Sequence, residues 1–180
     1  MKVVTILGTR PEVIKMSEVI KRFDQYTDHK VVHTGQNYDR ELNKVFFDEL
    51  GLRVPDYYLG VAGDNLGVSI GNIISKSFEI LSKINPDAVL IYGDTNSCLS
   101  AISAKRLKIP VFHFEAGNRS FDENVPEEIN RRIVDHISDV NFPLTEHARR
   151  YLVNEGLGGD RIIKTGGFMK EILEVHRDSI

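Results

Sequence analysis

Apolar residues in this chain fall into two kinds of pattern. Short unbroken runs rich in β-branched residues, KVVTIL at 2–7, HKVVHT at 29–34 and DAVLIY at 87–92, read as strands buried on both faces. Residues 109–114, 139–142 and 161–164 read as further strands. Between these runs apolar residues recur at helical spacing. Val13, Ile14, Met16, Val19, Ile20 and Phe23 form one stripe, after Pro11 in a first turn and Thr9 as a candidate cap. Residues 37–50 carry a second stripe, with Leu42, Val45, Phe46 and Leu50 inward and Gly51 ending it. A long stripe from Leu66 through Val68, Ile70, Ile73, Ile74 and Phe78 to Leu81 opens at Asp64 or Asn65 and stops at Asn85-Pro86. Further helices are predicted from about Asn96 to Leu107, from Pro126 to about Ile137, from Thr145 to about Glu155, and beginning within 168–178. Residues 52–63 read as irregular.

Strand followed by helix, about seven times over, predicts a doubly wound parallel sheet of the Rossmann-like α/β class with right-handed crossovers. Such sheets bind ligands at the carboxyl ends of their strands, so residues just past each strand are the first candidates for chemistry. Arg10 and Lys15 follow the first strand near a helix start, a place suited to phosphate, although an ordinary turn with surface cations gives the same spacing. Asp94 follows Gly93 at the end of DAVLIY, either as a functional carboxylate or as a helix cap. Glu115 ends the strand at 109–114, where no helix start needs it. Glu127 and Glu128 open the helix at Pro126, where the helix dipole alone would favour them. Carboxylates facing one crevice can be driven to different pKa values and divide acid and base work. Asp94, Glu115 and Glu127, with Arg10 and Lys15, therefore predict an anionic, phosphate-bearing ligand with acid–base chemistry beside it.

Composition narrows the class. The 180 residues are 41% hydrophobic and 27% charged, as one ordinary domain requires. A net charge of -3 implies no basic face for nucleic acid, and Arg131-Arg132 and Arg149-Arg150 read as solvated helix faces. The single cysteine, Cys98, allows neither an internal disulfide nor a thiolate zinc site, and suits a reducing compartment; a cytoplasmic location is expected. The six histidines have no tight ligand spacing, with His113 read as core and His136 and His147 as helix residues, so no metal is expected. No apolar run reaches the length of a membrane helix.

The motifs are more specific than the pattern. GTRPE at 8–12, HTGQNYD at 33–39, YGDTNS at 92–97, HFEAGNR at 113–119 and PEEINR at 126–131 occur in this order. Together they resemble the non-hydrolysing UDP-N-acetylglucosamine 2-epimerases, and the resemblance extends over essentially the whole chain. It implies one half of a glycosyltransferase B-like two-domain enzyme, with the site in the cleft between domains. On that likeness residues 1–167 are the amino-terminal domain, 168–180 begin the interdomain segment, and the carboxyl-terminal domain is absent from this chain. The family reaction inverts C2 of a UDP-linked 2-acetamido sugar without cofactor or metal. Asp94, Glu115 and Glu127 match the family's catalytic carboxylates; Arg10 and Lys15 match ligand-binding positions. A homodimer is implied for the full-length enzyme, and inactivity for the isolated domain. The text EAGNRSFDENVPEEINR resembles the branch that makes UDP-N-acetyl-L-fucosamine for capsule or O-antigen, although that branch usually has Cys where this chain has Ser120. A UDP-N-acetylglucosamine 2-epimerase proper, or a glycosyltransferase of the same architecture, remains open.

Overall fold

The computed structural model describes residues 1–35 and 47–177. Six strands lie in one parallel sheet: β1 (Lys2–Leu7), β2 (Asp28–His33), β3 (Tyr57–Tyr58), β4 (Ala88–Tyr92), β5 (Val111–Phe114) and β6 (Val140–Phe142), in the order β3-β2-β1-β4-β5-β6. The expected doubly wound parallel sheet is present. Its strand order reverses direction between β1 and β4, so a crevice opens there at the carboxyl edge.

Helices cover both faces. They are α1 (Arg10–Tyr26), α2 (Leu66–Ile84), α3 (Ser100–Arg106), α4 (Pro126–Ile137), α5 (Glu146–Asn154) and α6 (Met169–Val175). Alternate residues of each central strand feed opposite cores. Val4, Ile6, Val89, Ile91 and Val111 pack with Ile73, Leu81, Ala101, Ala104 and Val134 from α2, α3 and α4. Val3, Leu7, Leu90, Tyr92 and Phe114 pack with Val13, Met16 and Ile20 from α1. Burial on both sides is why these strands are apolar without alternation. No helix among the described residues is long and apolar enough to cross a membrane.

Several elements depart from the sequence reading. The predicted helix at 37–50 lies mostly outside the described residues, although Phe47–Glu49 is helical. Within the irregular stretch 52–63, Tyr57 and Tyr58 pair with Val32 and His33 as an edge strand. Two residues carry too little pattern to be read as a strand. Residues 161–164 form no strand; Gly159–Arg161 is a 3-10 turn, and Ile162 makes a lone bridge to Asn141. Leu66, Val68 and Phe78 belong to the predicted α2 stripe yet are exposed. The buried face of α2 instead runs through Ile73, Ser77, Leu81 and Ile84. Asn65 is its cap, with the side chain accepting from the Val68 amide, and Asn85 ends it in a left-handed conformation at φ 48°.

His33 ends β2 in an enclosed place. Its Nδ1 accepts from the Gly35 amide at 3.1 Å, so Nε2 carries the hydrogen and has no partner among the described residues. Burial pushes the imidazole down from 6.5 to about 4. The folded chain therefore binds fewer protons than the unfolded one between those values. The stability contributed is complete above pH 6.5 and is lost as pH falls towards 4, by about 3 kcal/mol. Thermal unfolding followed by circular dichroism should give a melting temperature that falls between pH 6.5 and 4.5, and His33→Gln should flatten that fall.

Candidate active site

The carboxyl ends of β1, β4 and β5 carry three loops that meet at the crevice. The first is Gly8-Thr9, leading into α1. The next is Gly93 to Thr95, with Gly93 at φ 67°, followed by a 3-10 turn at Asn96–Leu99. The third is Glu115 to Gly117, in which Glu115 itself adopts φ 64° and Gly117 φ 81°. A left-handed backbone at a non-glycine residue is strained, and it aims the Glu115 side chain back over β4 instead of along the chain.

Between these loops lies a pocket of about 150 Å³, lined among others by Pro11, Lys15, Tyr92, Asp94, Thr95 and Glu115. Glu115 Oε2 accepts from Lys15 Nζ at 2.8 Å and from the Tyr92 hydroxyl. Lys15 Nζ also stands 5.2 Å from the centre of the Tyr92 ring. Burial raises the Tyr92 phenol, and the Glu115 carboxylate it donates to raises it further, so it stays a donor at any working pH. Asp94 does not cap a helix; Thr95 holds that position. Its Oδ2 meets Arg131 Nη2 at 2.8 Å. Burial raises the Asp94 carboxyl, Arg131 opposes that rise, and the charges of Glu115 and Glu127 add to it. Glu127 sits in the first turn of α4, near enough for its charge to reach Asp94. Arg10 is the first residue of α1, exposed at the same edge.

Three residues here were not singled out by the sequence reading. Glu12 is buried and takes hydrogen bonds from the Gly8 amide at 2.5 Å, the Thr9 amide at 3.1 Å, the Ser97 hydroxyl at 3.0 Å and the Thr95 hydroxyl. Burial raises its carboxyl against the pull of these donors. Thr9 occupies the cap position, but no partner faces its hydroxyl among the described residues; Glu12 closes the loop instead. The spacing Thr9-x-x-Glu12 is the sequence signal that announces it. Arg131 was read as a solvated helix face, yet it bridges Asp94 and Glu128, the latter at 3.1 Å. Tyr92 carried no signal beyond its place at a strand end.

Glu128 is fully buried. It accepts from the Ser120 amide at 2.9 Å and hydroxyl at 3.0 Å, and it pairs with Arg131 and Arg132. It therefore holds the loop between β5 and α4 and does not face the pocket. Cys98 is buried, and burial raises its thiol, so it is chemically quiet. Among the described residues no cluster of His, Cys, Asp or Glu is arranged to hold a metal.

The family model described as UDP-N-acetylglucosamine 2-epimerase matches residues 21–180. The chain belongs to the UDP-N-acetylglucosamine 2-epimerase family. A solved UDP-N-acetylglucosamine 2-epimerase from Rickettsia bellii superposes with a TM-score of 0.94 at 62% identity, over 99% of this chain and 48% of that one. The Methanocaldococcus jannaschii UDP-GlcNAc 2-epimerase, solved with UDP-GlcNAc and UDP, gives 0.94 at 40% identity, over 99% of this chain and 50% of that one. A UDP-2,3-diacetamido-2,3-dideoxy-D-glucuronate 2-epimerase from Pseudomonas aeruginosa is 40% identical over 176 residues, 95% of this chain and 50% of the relative. The chain spans about half the length of the curated relatives it matches, 48% and 46% of two of them.

The third loop gives this family member a sharp test of its packing. A Cβ on Gly117 would lie 2.5 Å from the Ala148 carbonyl oxygen and 2.9 Å from Leu152 Cγ, whereas one on Gly93 would meet nothing within 4 Å. Gly117→Ala should therefore destabilise the chain by about 2 kcal/mol or more in chemical denaturation, through strain and overlap together. Gly93→Ala should cost only the backbone term, about 1 kcal/mol.

Proposed function

We propose that this chain is the amino-terminal half of a two-domain enzyme that inverts C2 of a UDP-linked 2-acetamido sugar. The observation that carries the reading is the meeting of Asp94, Glu115 and Glu127 in one electrostatic field, with Lys15 and Arg131 beside them, at the switch point of the sheet. The C2 proton has no neighbouring carbonyl and is not acidic by itself. In the proposed reaction a carboxylate takes that proton while the C1–O bond breaks. The electron pair of the C1–O bond leaves with UDP, and a C1=C2 double bond forms. UDP oxygen then adds back to C1 as a proton is delivered to the other face of C2. Two proton-carrying groups and a cationic cradle for diphosphate are what this sequence needs. Asp94, pushed towards its protonated form by burial, is the group suited to deliver a proton. Lys15 and Arg10 are the cations for the diphosphate. Residues 1–167 form this half and 168–180 lead towards the second.

Within the class, the loop EAGNRSFDENVPEEINR supports the UDP-N-acetyl-L-fucosamine step of capsule or O-antigen synthesis, with Ser120 the departure from that branch. The names of the Rickettsia and Methanocaldococcus relatives favour UDP-N-acetylglucosamine itself as the second reading. We take the enzyme to be a cytoplasmic homodimer; exposed Leu66, Val68 and Phe78 on α2, and Ile129 and Ile133 on α4, are surface that a second copy would cover.

Solvent deuterium incorporation at C2, measured on each UDP-sugar with the two-domain enzyme, tests the reaction and chooses the substrate. Asp94→Asn, Glu115→Gln and Glu127→Gln should each lower turnover by about 10²–10⁴-fold with the fold intact. Arg10→Ala should instead raise the KM for the nucleotide sugar. Transfer of labelled sugar to an acceptor without C2 exchange would replace the reading with a glycosyltransferase.

The 180-residue chain alone should fold, bind UDP weakly and exchange no C2 proton, because its pocket has one wall and water reaches the elimination step. Isothermal titration with UDP and the same exchange assay check this. Tight binding or measurable exchange by the chain alone would contradict it.

A further inference from the structure

We propose that His113 and Asp135 form a buried ionic clamp that fixes the Asp94 turn against the Glu115 turn, with His113 as a permanent imidazolium beneath Asp94. The inference rests on the functional reading above for the roles of Asp94 and Glu115, but its geometry stands apart from that reading.

His113 lies in β5 with no solvent exposure, and Asp135 lies in α4 with none. The two ring nitrogens of His113 face two acceptors. Nδ1 is 2.8 Å from Asp135 Oδ1, and Nε2 is 2.7 Å from the Gly93 carbonyl oxygen. A carbonyl cannot donate. Asp135 is committed as an acceptor, since the Gly117 amide donates to it at 3.1 Å and Arg119 Nη1 at 2.7 Å. Both hydrogens must therefore sit on the ring, which makes it a cation.

The chain positions of these contacts give the pair its reach. Gly93 immediately precedes Asp94, so His113 holds the second loop. Gly117 lies two residues beyond Glu115, so Asp135 holds the third. One ion pair thus spans the two turns that carry the site's carboxylates. Among the described residues, charged groups reach it from several elements. Asp135 approaches His113 from α4, and the charge of Asp94 acts from the loop after β4. Arg119 holds the other Asp135 oxygen at 2.7 Å and is itself forked onto Glu155, the residue that caps the end of α5, at 2.7 and 2.6 Å. Arg131 of α4 holds the far side of Asp94. Burial would drive the imidazole to the neutral form, but the Asp135 bond and charge and the Gly93 carbonyl outweigh it and raise its pKa. Reciprocally, the His113 charge lowers that of Asp94.

A mere fold staple would hold the turns without setting the charge state of Asp94, and the test separates the two. In the wild-type 180-residue chain, long-range ¹⁵N–¹H spectra of the His113 ring should report both hydrogens well above the pH near 6.5 at which a free histidine loses one. A single ring hydrogen at pH 7 would overturn the clamp, and this measurement needs no variant to fold. In His113→Gln, the ¹³C carboxyl titration of Asp94 should move to higher pH; an unchanged midpoint in a folded variant would overturn the counter-charge role. In the two-domain enzyme, His113→Gln and Asp135→Asn should lower kcat by about 10²-fold with KM little changed. Wild-type kcat in folded His113→Gln would overturn the clamp and leave the epimerase reading standing. A wild-type enzyme without C2 exchange, but with an imidazolium at His113, would overturn the epimerase reading and leave the clamp.

Discussion

Glu12 lies on the floor of the crevice between β1 and β4 and takes hydrogen bonds from both of its sides. The amides of Gly8 and Thr9 reach it from the first loop, and the hydroxyls of Thr95 and Ser97 from the second. A parallel sheet gives its central strands fixed spacing along the ladder but leaves the loops beyond them free. At a switch point the flanking helices depart to opposite faces, and the gap widens. A buried carboxylate at that gap must be fully bonded or pay heavily in desolvation, so its four donors are held to narrow positions. Because α1 begins in the first loop, this one anchor sets where Lys15 projects. Because the second loop carries Asp94, it sets that carboxylate too.

Much of this architecture could be read from residue order. Continuous β-branched runs identified β1, β2 and β4, and Pro126 with its two glutamates marked the start of α4 where the structure has it. The motif residues following each strand had to share one edge once the sheet was parallel, so the sequence order alone puts Arg10, Asp94 and Glu115 at that edge. What stayed hidden depends on long-range partners. Arg131 looks like any helix-surface arginine until α4 packs beside the β4 loop and turns it onto Asp94. Leu66 and Val68 fit a helical stripe, but which stripe faces the sheet was decided by Ile73, Leu81 and Ile84. Glu127 and Glu128 are adjacent and chemically identical, and only the rotation of α4 sends one towards Asp94 and the other beneath Ser120.

The site gathers negative charge that would repel itself without these partners. Asp94, Glu115 and Glu127 are balanced by Lys15, Arg131 and His113, each cation assigned to a particular carboxylate or to the turn beneath it. Such pairing is weak evidence for stability, since desolvation offsets much of the attraction. It is better evidence for preorganisation, because Asp94 is held by Arg131 and Glu115 by Lys15 and Tyr92. Lys15 has a divided position: it neutralises Glu115 in this structure, and a diphosphate in the pocket would compete for the same ammonium. Loss of that ion pair would leave the Tyr92 hydroxyl as the remaining recorded partner of Glu115.

The Glu115 turn shows where the fold invests strain. A left-handed glutamate costs about 1 kcal/mol relative to an ordinary conformation, and nothing local repays it. Its support comes from outside the turn. The Glu115 amide donates to the Phe142 carbonyl of β6 at 3.1 Å, the Gly117 amide is held by Asp135, and Gly117 packs directly on the backbone of α5. Three separate elements therefore over-determine one unfavourable backbone angle. An extended Glu115 would continue β5 and carry its carboxylate away from Tyr92 and Lys15. The conformation that the chain resists is the one that brings the Glu115 carboxylate over β4, onto the Tyr92 hydroxyl and the Lys15 ammonium.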